Sequence, residues 1–400
     1  MRIKKCTAPL KAALVFALVW YIGTVAAAPS KITLWQNEAH SVVFAKGVVL
    51  RDLPKEVQLA GGTMSSSSLG EYEAKLSLFG IIPYKSVSIN VVPQTSVAVC
   101  GNLIGIRLHS DGLIVVGTGS FVSESGQTVS PGEDANILAG DVILTANGEK
   151  LRDTSALSEI VQKSEGEIVL SVYRNGENKS INVMPSCCGS DKRKKLGVWV
   201  RDSAAGVGTI TYIDTQTNKY GALGHSISDT DTGIRFDVLR GTIEECDVLS
   251  IKKGERGAPG EIHGAFKSSA SKIGSIEKNT ENGIYGTIFE IPNTAALMPI
   301  ALANQIRCGE ASIFSMVDDA VKEYSIKILR ISHHNGDSRA ILFEVTDDTL
   351  LQKAGGIVQG MSGSPIVQDG AIVGAVTHVL VNEPDKGYGV LIETMLNECG

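Results

Sequence analysis

The sequence predicts a mainly β protein built from two or three small domains. Apolar and polar residues alternate in stretches such as EAKLSLFGIIPYKSVSINVVP (73–93), the pattern of half-buried strands. Glycine is abundant, 43 of 400 residues, and is accompanied by many Val, Ile, Thr and Ser, a composition of short strands and tight turns. Helical periodicity is confined to short segments. At roughly 100–200 residues per domain the chain can build two or three cores. The formal charge is 37 − 43 = −6, which argues against the basic stripe of a nucleic-acid binder. Few prolines and ordinary hydrophobicity argue against disorder.

The N-terminus carries Arg2, Lys4, Lys5 and Lys11, then an uncharged run from Ala12 to Ala28. A basic flank before an apolar run is the pattern of a signal peptide or a membrane anchor, with the basic end cytoplasmic. Ala26 and Ala28 resemble a signal-peptidase site, but Pro29 follows the cut, and Trp20 and Tyr21 suit an interfacial anchor. Residues 1–29 are therefore read as a signal peptide or membrane anchor, and the rest of the chain as exported. Seven cysteines make no disulfide scaffold and show no CxxC spacing, so no metal site is expected.

Residues 30–96 form a β-rich segment that is not expected to stand alone. Residues 97–185 read as a compact module. Two strands flank a Ser-Asp-Gly turn (110–112), and Val-Ile strands lead into an Asn-Gly turn (147–148). A helix over 153–164 is capped by Asp153 or Thr154, and a hairpin turns at Asn175-Gly176. This order resembles a PDZ domain, most clearly in AGDVILTANG (139–148). Such domains bind peptides by adding a strand to a sheet edge. In that comparison Gly101, Gly105 and Ile106 belong to the peptide-binding loop. Residues 186–196 read as a polar, basic linker open to proteolysis. Residues 197–400 form the last domain, again rich in strands.

The chemistry concentrates near the C-terminus. Gly360-Met361-Ser362-Gly363-Ser364-Pro365 has the form G-x-S-G-x-P found around the nucleophile of chymotrypsin-like serine proteases. Glycines are needed where backbone N–H groups must converge on one oxyanion in conformations that side chains obstruct. Ser362 is then the nucleophile, with Ser364 as its rival, and the N–H groups of Gly360 and Ser362 form the oxyanion hole. His225, in a loop of YGALGHSISD (220–229), is the candidate base. His378 reads as a packed strand histidine, and His333 and His334 as exposed. Composition does not choose the third member among Asp229, Asp231, Asp237, Asp247, Asp318, Asp347 and Asp348. The expected fold is a PDZ-like domain followed by a chymotrypsin-like double β-barrel peptidase domain.

Taken together, the N-terminal segment, the PDZ-like part, GHSISD and AGGIVQGMSGSP (354–365) resemble the stage IV sporulation protein B peptidases of endospore-forming bacteria. LFGIIPYKSVSINVVP (78–93) and IGIRLHSDGLIVVG (104–117) extend the resemblance over almost the whole chain. It implies a serine endopeptidase that needs no cofactor and is exported to the space between the forespore and mother-cell membranes. There the family cleaves a membrane-bound regulatory protein, and itself, in a step that activates a late sigma factor. The resemblance puts the catalytic His on His225, the nucleophile on Ser362 and the acid on Asp347, with Asp348 adjacent. It implies that the PDZ-like part governs self-cleavage and target recognition. The alternative is a non-catalytic PDZ scaffold whose degenerate protease domain binds a membrane partner.

Overall fold

The computed structural model describes residues 30–399 except 43, 45–46, 268–271, 294 and 333–336, together with residues 19, 21 and 23. Apart from those three, the expected N-terminal segment lies outside the described residues, as do His333 and His334. No described helix is long and apolar enough to cross a membrane. Strands dominate, in line with the expected class.

The chain divides into two units. The first comprises residues 1–96 and a return of Pro299–Arg307. Its four-stranded sheet runs in the order Lys31–Trp35, Ile82–Val92, Gly70–Leu78, Val48–Arg51. A second, three-stranded sheet holds Thr63–Ser66 between His40–Ser41 and Val57–Ala60. Together with that return, this segment builds a core of its own. Leu34, Met64, Leu76, Val87 and Ile89 are fully buried, each worth about 1.5–3 kcal/mol relative to exposure. The return segment is tied in by the Trp35 Nε1–H bond to Gln305 Oε1, 3.1 Å.

The second unit, Val97–Met298 with Cys308–Gly400, holds the PDZ domain and two barrels. In the first barrel, strand Leu103–Thr118 pairs with Val238–Lys252, and the order continues through Lys272–Thr280, Gly283–Ile288, Lys219–Ala222 and Val198–Asp214. Val198–Asp214 pairs back to Leu103–Thr118, so the ring of six closes. Its core contains Ile104, Ile106, Leu108, Ile210, Ile243 and Ile284. The second barrel is also closed: Gly309–Met316, Val321–Ile331, Ile341–Val345, Glu383–Leu391, Ala371–Leu380 and Pro365–Gln368.

The PDZ domain is joined to the first barrel through shared strands. The expected Ser-Asp-Gly hairpin at 110–112 is instead one continuous strand, Leu103–Thr118. Gly112 sits at φ +115°, where its Cβ-free backbone lets the strand turn and change partners. Before it, Leu103–Ser110 belongs to the barrel. Beyond it, Leu113 and Ile114 pair with Val142–Ile143, and Ile114–Thr118 with Val198–Arg201. The other PDZ turns follow the sequence reading. Asn147-Gly148 and Asn175-Gly176 have both residues at positive φ, as two-residue hairpin turns of this type require. Asp153 caps helix Thr154–Lys163 by accepting from the Ala156 N–H, 2.9 Å. Residues 186–196, read as a polar, basic linker, contain a two-stranded ribbon. Gln162 bonds both the N–H and the carbonyl of Lys194 and so ties that ribbon to the helix.

Candidate active site

Ser362 lies in the loop that leads into the Pro365–Gln368 strand of the second barrel. The loop is held from the first barrel by two buried threonines on one face of Val198–Asp214. Thr209 Oγ1 donates to Gly360 O at 2.8 Å, and Thr211 Oγ1 donates to Gly363 O at 2.7 Å. The Thr209 N–H donates to Ser362 O at 2.9 Å. The i, i+2 spacing of Thr209 and Thr211 places both side chains on the same strand face. Gly360 and Gly363 sit at φ +99° and +94°, and a Cβ on Gly363 would fall 2.0 Å from Thr209 O. Only glycine fits there.

Within this loop the N–H groups of Met361, Gly363 and Ser364 donate to Val358 O, Val376 O and Met361 O. Among the described residues those of Gly360 and Ser362 donate to none. These are the two donors that the sequence assigns to the oxyanion hole. An acyl-transfer intermediate would take them up, at roughly 3–4 kcal/mol of transition-state stabilisation per donor.

The base is carried on the turn after strand Lys219–Ala222. Gly224, at φ +72°, packs so closely on the second barrel that a Cβ would lie 2.8 Å from Thr377 Cγ2. The next residue is His225. Its ring lies 5.4 Å, centroid to centroid, from that of His378. Ser362 Oγ donates to Thr377 O at 2.9 Å. Nucleophile and base thus converge from two barrels on the same stretch, Thr377-His378. His225 Nδ1 lies 2.8 Å from Ser226 O. A carbonyl only accepts, so Nδ1 carries the proton and Nε2 is left with the lone pair a general base needs.

Burial pushes the His225 pKa below its ordinary value, with the Ser226 bond opposing it. Burial, together with His225 and Arg339, takes His378 down to about 4. Both rings are therefore neutral at neutral pH, the form in which His225 accepts a proton. The acid limb of kcat/KM should fall below pH 6.5, where an unperturbed histidine titrates. The same shift makes the unfolded chain bind protons more readily, so the stability contributed by neutral His225 is fully present above pH 6.5 and is lost as pH falls from there through its lower folded-state pKa. A pH–rate profile with an acid limb well above 6.5 would contradict the burial argument.

The other sequence candidates are placed elsewhere. Ser364 is fully buried and donates to Ser315 Oγ at 3.0 Å, which makes it a structural hydroxyl. Asp229 is buried against Arg201 and accepts from the Thr232 N–H and hydroxyl. Asp231 also pairs with Arg201, and Asp318 with Lys322 and Lys353. Asp347 caps helix Asp348–Ala354: Oδ1 accepts from the Leu350 N–H at 3.0 Å and Oδ2 from the Ser325 N–H at 3.5 Å. His225 is not among its partners here, and the Ser226 carbonyl occupies the orienting position on Nδ1. That helix feeds directly into the loop Gly355–Gly363, so Asp347→Ala should reduce turnover far more than Asp348→Ala. Loss of the cap alone costs about 1 kcal/mol. Asp347→Ser separates the roles, since serine caps but carries no charge. Retained turnover in that variant assigns Asp347 to the cap, and lost turnover returns its carboxylate to the imidazole.

The assignment of a peptide-binding loop to Gly101, Gly105 and Ile106 is corrected. Gly105 and Ile106 are strand residues of the first barrel, paired with Val207 and Gly206 on one side and Glu244 and Ile243 on the other. Ile106 is in the core, and a Cβ on Gly105 would run into the Phe266 ring. Gly101 lies against Phe314 O. The reason is topological: the strand that carries these residues is captured by the barrel. Its place beside the PDZ helix is taken by Leu196–Val200. A groove of about 380 Å³ runs there, lined by Leu157 and Val161 from the helix and by Lys194, Leu196, Val198 and Trp199.

The sequence reading missed Thr209, Thr211 and Thr377, whose roles depend on which strands the barrels bring together. It read His378 as a packed residue, whereas the ring faces His225.

No curated protein matches the chain significantly. Among solved structures, the active form of the Rv3671c protease from M. tuberculosis is 12% identical with a TM-score of 0.31, covering 49% of this chain and 75% of that one. The inactive form of that protease is also 12% identical, TM-score 0.28, covering 48% and 84%. A PDZ domain model matches residues 103–184. The model for SpoIVB peptidase S55 matches residues 192–396, just over half the chain and all of the Ser362 and His225 loops. The chain, a serine peptidase, belongs to the SpoIVB peptidase S55 family.

Proposed function

We propose that this peptidase is an exported endopeptidase that cleaves a membrane-bound regulatory protein, and itself, in a step that activates a late sporulation sigma factor. Its place of action is the space between forespore and mother-cell membranes, reached through the N-terminal segment. The endopeptidase chemistry in this reading is supported by one observation: the Ser362 loop presents two undonated N–H groups beside a hydroxyl that converges with neutral His225 on Thr377-His378. In the reaction His225 Nε2 takes the Ser362 proton as Oγ attacks the scissile carbonyl. The Gly360 and Ser362 N–H groups hold the oxyanion, and His225 returns the proton to the leaving amine. Water then releases the acyl group. The groove beside helix Thr154–Lys163 is the place where an extended segment of the target, or of the chain itself, adds to the sheet edge.

A fluorophosphonate probe tests the chemistry. The wild-type chain should be labelled stoichiometrically at Ser362, and Ser362→Ala should neither label nor process itself. Absence of labelling in the folded wild type would instead favour a non-catalytic scaffold. For the substrate, one membrane protein from sporulating cells should be shortened by the wild type and left intact by Ser362→Ala.

A further inference from the structure

We propose that the turn joining strands Gly70–Leu78 and Ile82–Val92 is a membrane-inserting tip that seats the first unit on an anionic bilayer. The turn exposes large apolar side chains in close succession: Phe79 is 64% exposed, Ile81 81% and Ile82 54%. Scattered apolar residues on a surface are ordinary, but a cluster at the end of a hairpin marks an interaction site. A shortage of core does not explain it. The two strands bury Leu76, Leu78, Val87 and Ile89 within the same unit.

The backbone holds these side chains outward. Phe79 and Gly80 are at φ +52° and +71°, a left-handed pair that is unfavourable for a bulky aromatic residue. The pair is fixed by the Phe79 N–H to Gly47 O bond, 2.6 Å, and by the Ile81 N–H to Leu78 O bond, 3.1 Å. The Phe79 ring lies across Gly47, where a Cβ would sit 2.8 Å from it.

Charge and topology choose the occupant. Behind the apolar tip stands a basic collar. The Arg51 guanidinium reaches Gly80, where a Cβ would lie 3.0 Å from it. Lys75, which also meets Asp52, is the cross-strand partner of Arg51, and Lys85 that of Leu76. An apolar tip backed by cations matches the acyl boundary and anionic headgroups of a bilayer. The sheet also orients the chain. Strand Lys31–Trp35 runs parallel to Ile82–Val92, from Lys31 beside Ser88 to Trp35 beside Val92. Lys31 is therefore at the tip-facing end of its strand. Ser88 is six residues from Ile82, about 20 Å at strand rise. The uncharged run ends at Ala28, three residues before Lys31. The described chain thus enters this sheet from its tip-facing end, and the uncharged run lies just before that entry in the sequence. This inference rests on the proposed membrane association of the N-terminal segment.

The test places an environment-sensitive fluorescent amino acid at position 81 of the full chain, with a second version at position 177 on the PDZ hairpin as control. Vesicles contain phosphatidylcholine with or without phosphatidylglycerol, and a parallel set carries bromine on the acyl chains. On anionic vesicles the probe at 81 should shift to the blue and be quenched severalfold by brominated lipid, while the probe at 177 stays water-like. Phe79→Ser with Ile82→Ser should abolish the shift without unfolding the unit. If the chain binds vesicles and the probe at 81 remains in water, the tip is no lipid ligand, although the N-terminal anchor stands; a blue shift only on adding a membrane protein would assign the tip to a protein groove instead. If the chain binds no vesicle at all, both the tip and the anchor fail.

Discussion

Ser362→Ala should lower turnover by about 10⁴- to 10⁶-fold, the loss seen when a catalytic serine is removed and binding and oxyanion donors remain. The fold should survive. Among the described residues the Ser362 side chain makes one hydrogen bond, to Thr377 O, and it is only half-buried. Its removal costs about 1 kcal/mol or less. Ser364→Ala should show the opposite pattern. Its hydroxyl is fully buried against Ser315 and distant in role from the nucleophile, so stability falls by about 1–2 kcal/mol while turnover changes little. Peptide turnover and thermal melts on the two variants measure both halves. A Ser364→Ala variant that melts normally and loses all turnover would reverse the assignment.

Gly363→Ala should be the most damaging conservative change in the site. Its Cβ would stand 2.0 Å from Thr209 O and 2.5 Å from the Leu223 N, both backbone atoms of the first barrel, at a φ of +94°. Neither neighbour can move without displacing a strand. The loop must shift instead, and with it the Gly360 and Ser362 N–H groups. Misplacing oxyanion donors costs about 10²–10³ in kcat. The backbone clash should destabilise the barrel contact by several kcal/mol as well, since overpacking costs about 1–3 kcal/mol before the conformational penalty is added. Thr209→Val removes the Oγ1 bond to Gly360 O while keeping the shape, and should show a milder loss of kcat with KM nearly unchanged. A Gly363→Ala enzyme with wild-type kcat would mean that the loop is not held by this contact.

Much of the site was legible because local chemistry dictates it. G-x-S-G-x-P encodes a glycine loop around a serine, and both of its glycines are at positive φ. The Asn-Gly turns fell where strands alternate around them, and Asp153 capped its helix. These features depend on residues a few positions apart. The misread features all depend on distant partners. The turn chemistry of Ser110, Asp111 and Gly112 alone cannot reveal that the strand continues, because the continuation is stabilised by Val198–Asp214 on one side and Val238–Lys252 on the other. For the same reason Gly105 and Ile106 read as a binding loop until a barrel encloses them.

The sequence by itself determined the strand content, the Asn-Gly turns and the nucleophile loop. The tertiary structure alone decided what faces the nucleophile. Two threonines on one strand grip the Ser362 loop, a backbone carbonyl orients His225, Asp347 caps a helix, and His378 stands at the base. Strand alternation fixes which face a side chain takes, but not which strand lies opposite. That choice is made by burial and hydrogen bonding summed over two closed barrels, between residues as distant in the chain as Thr209 and Gly360, 151 positions apart.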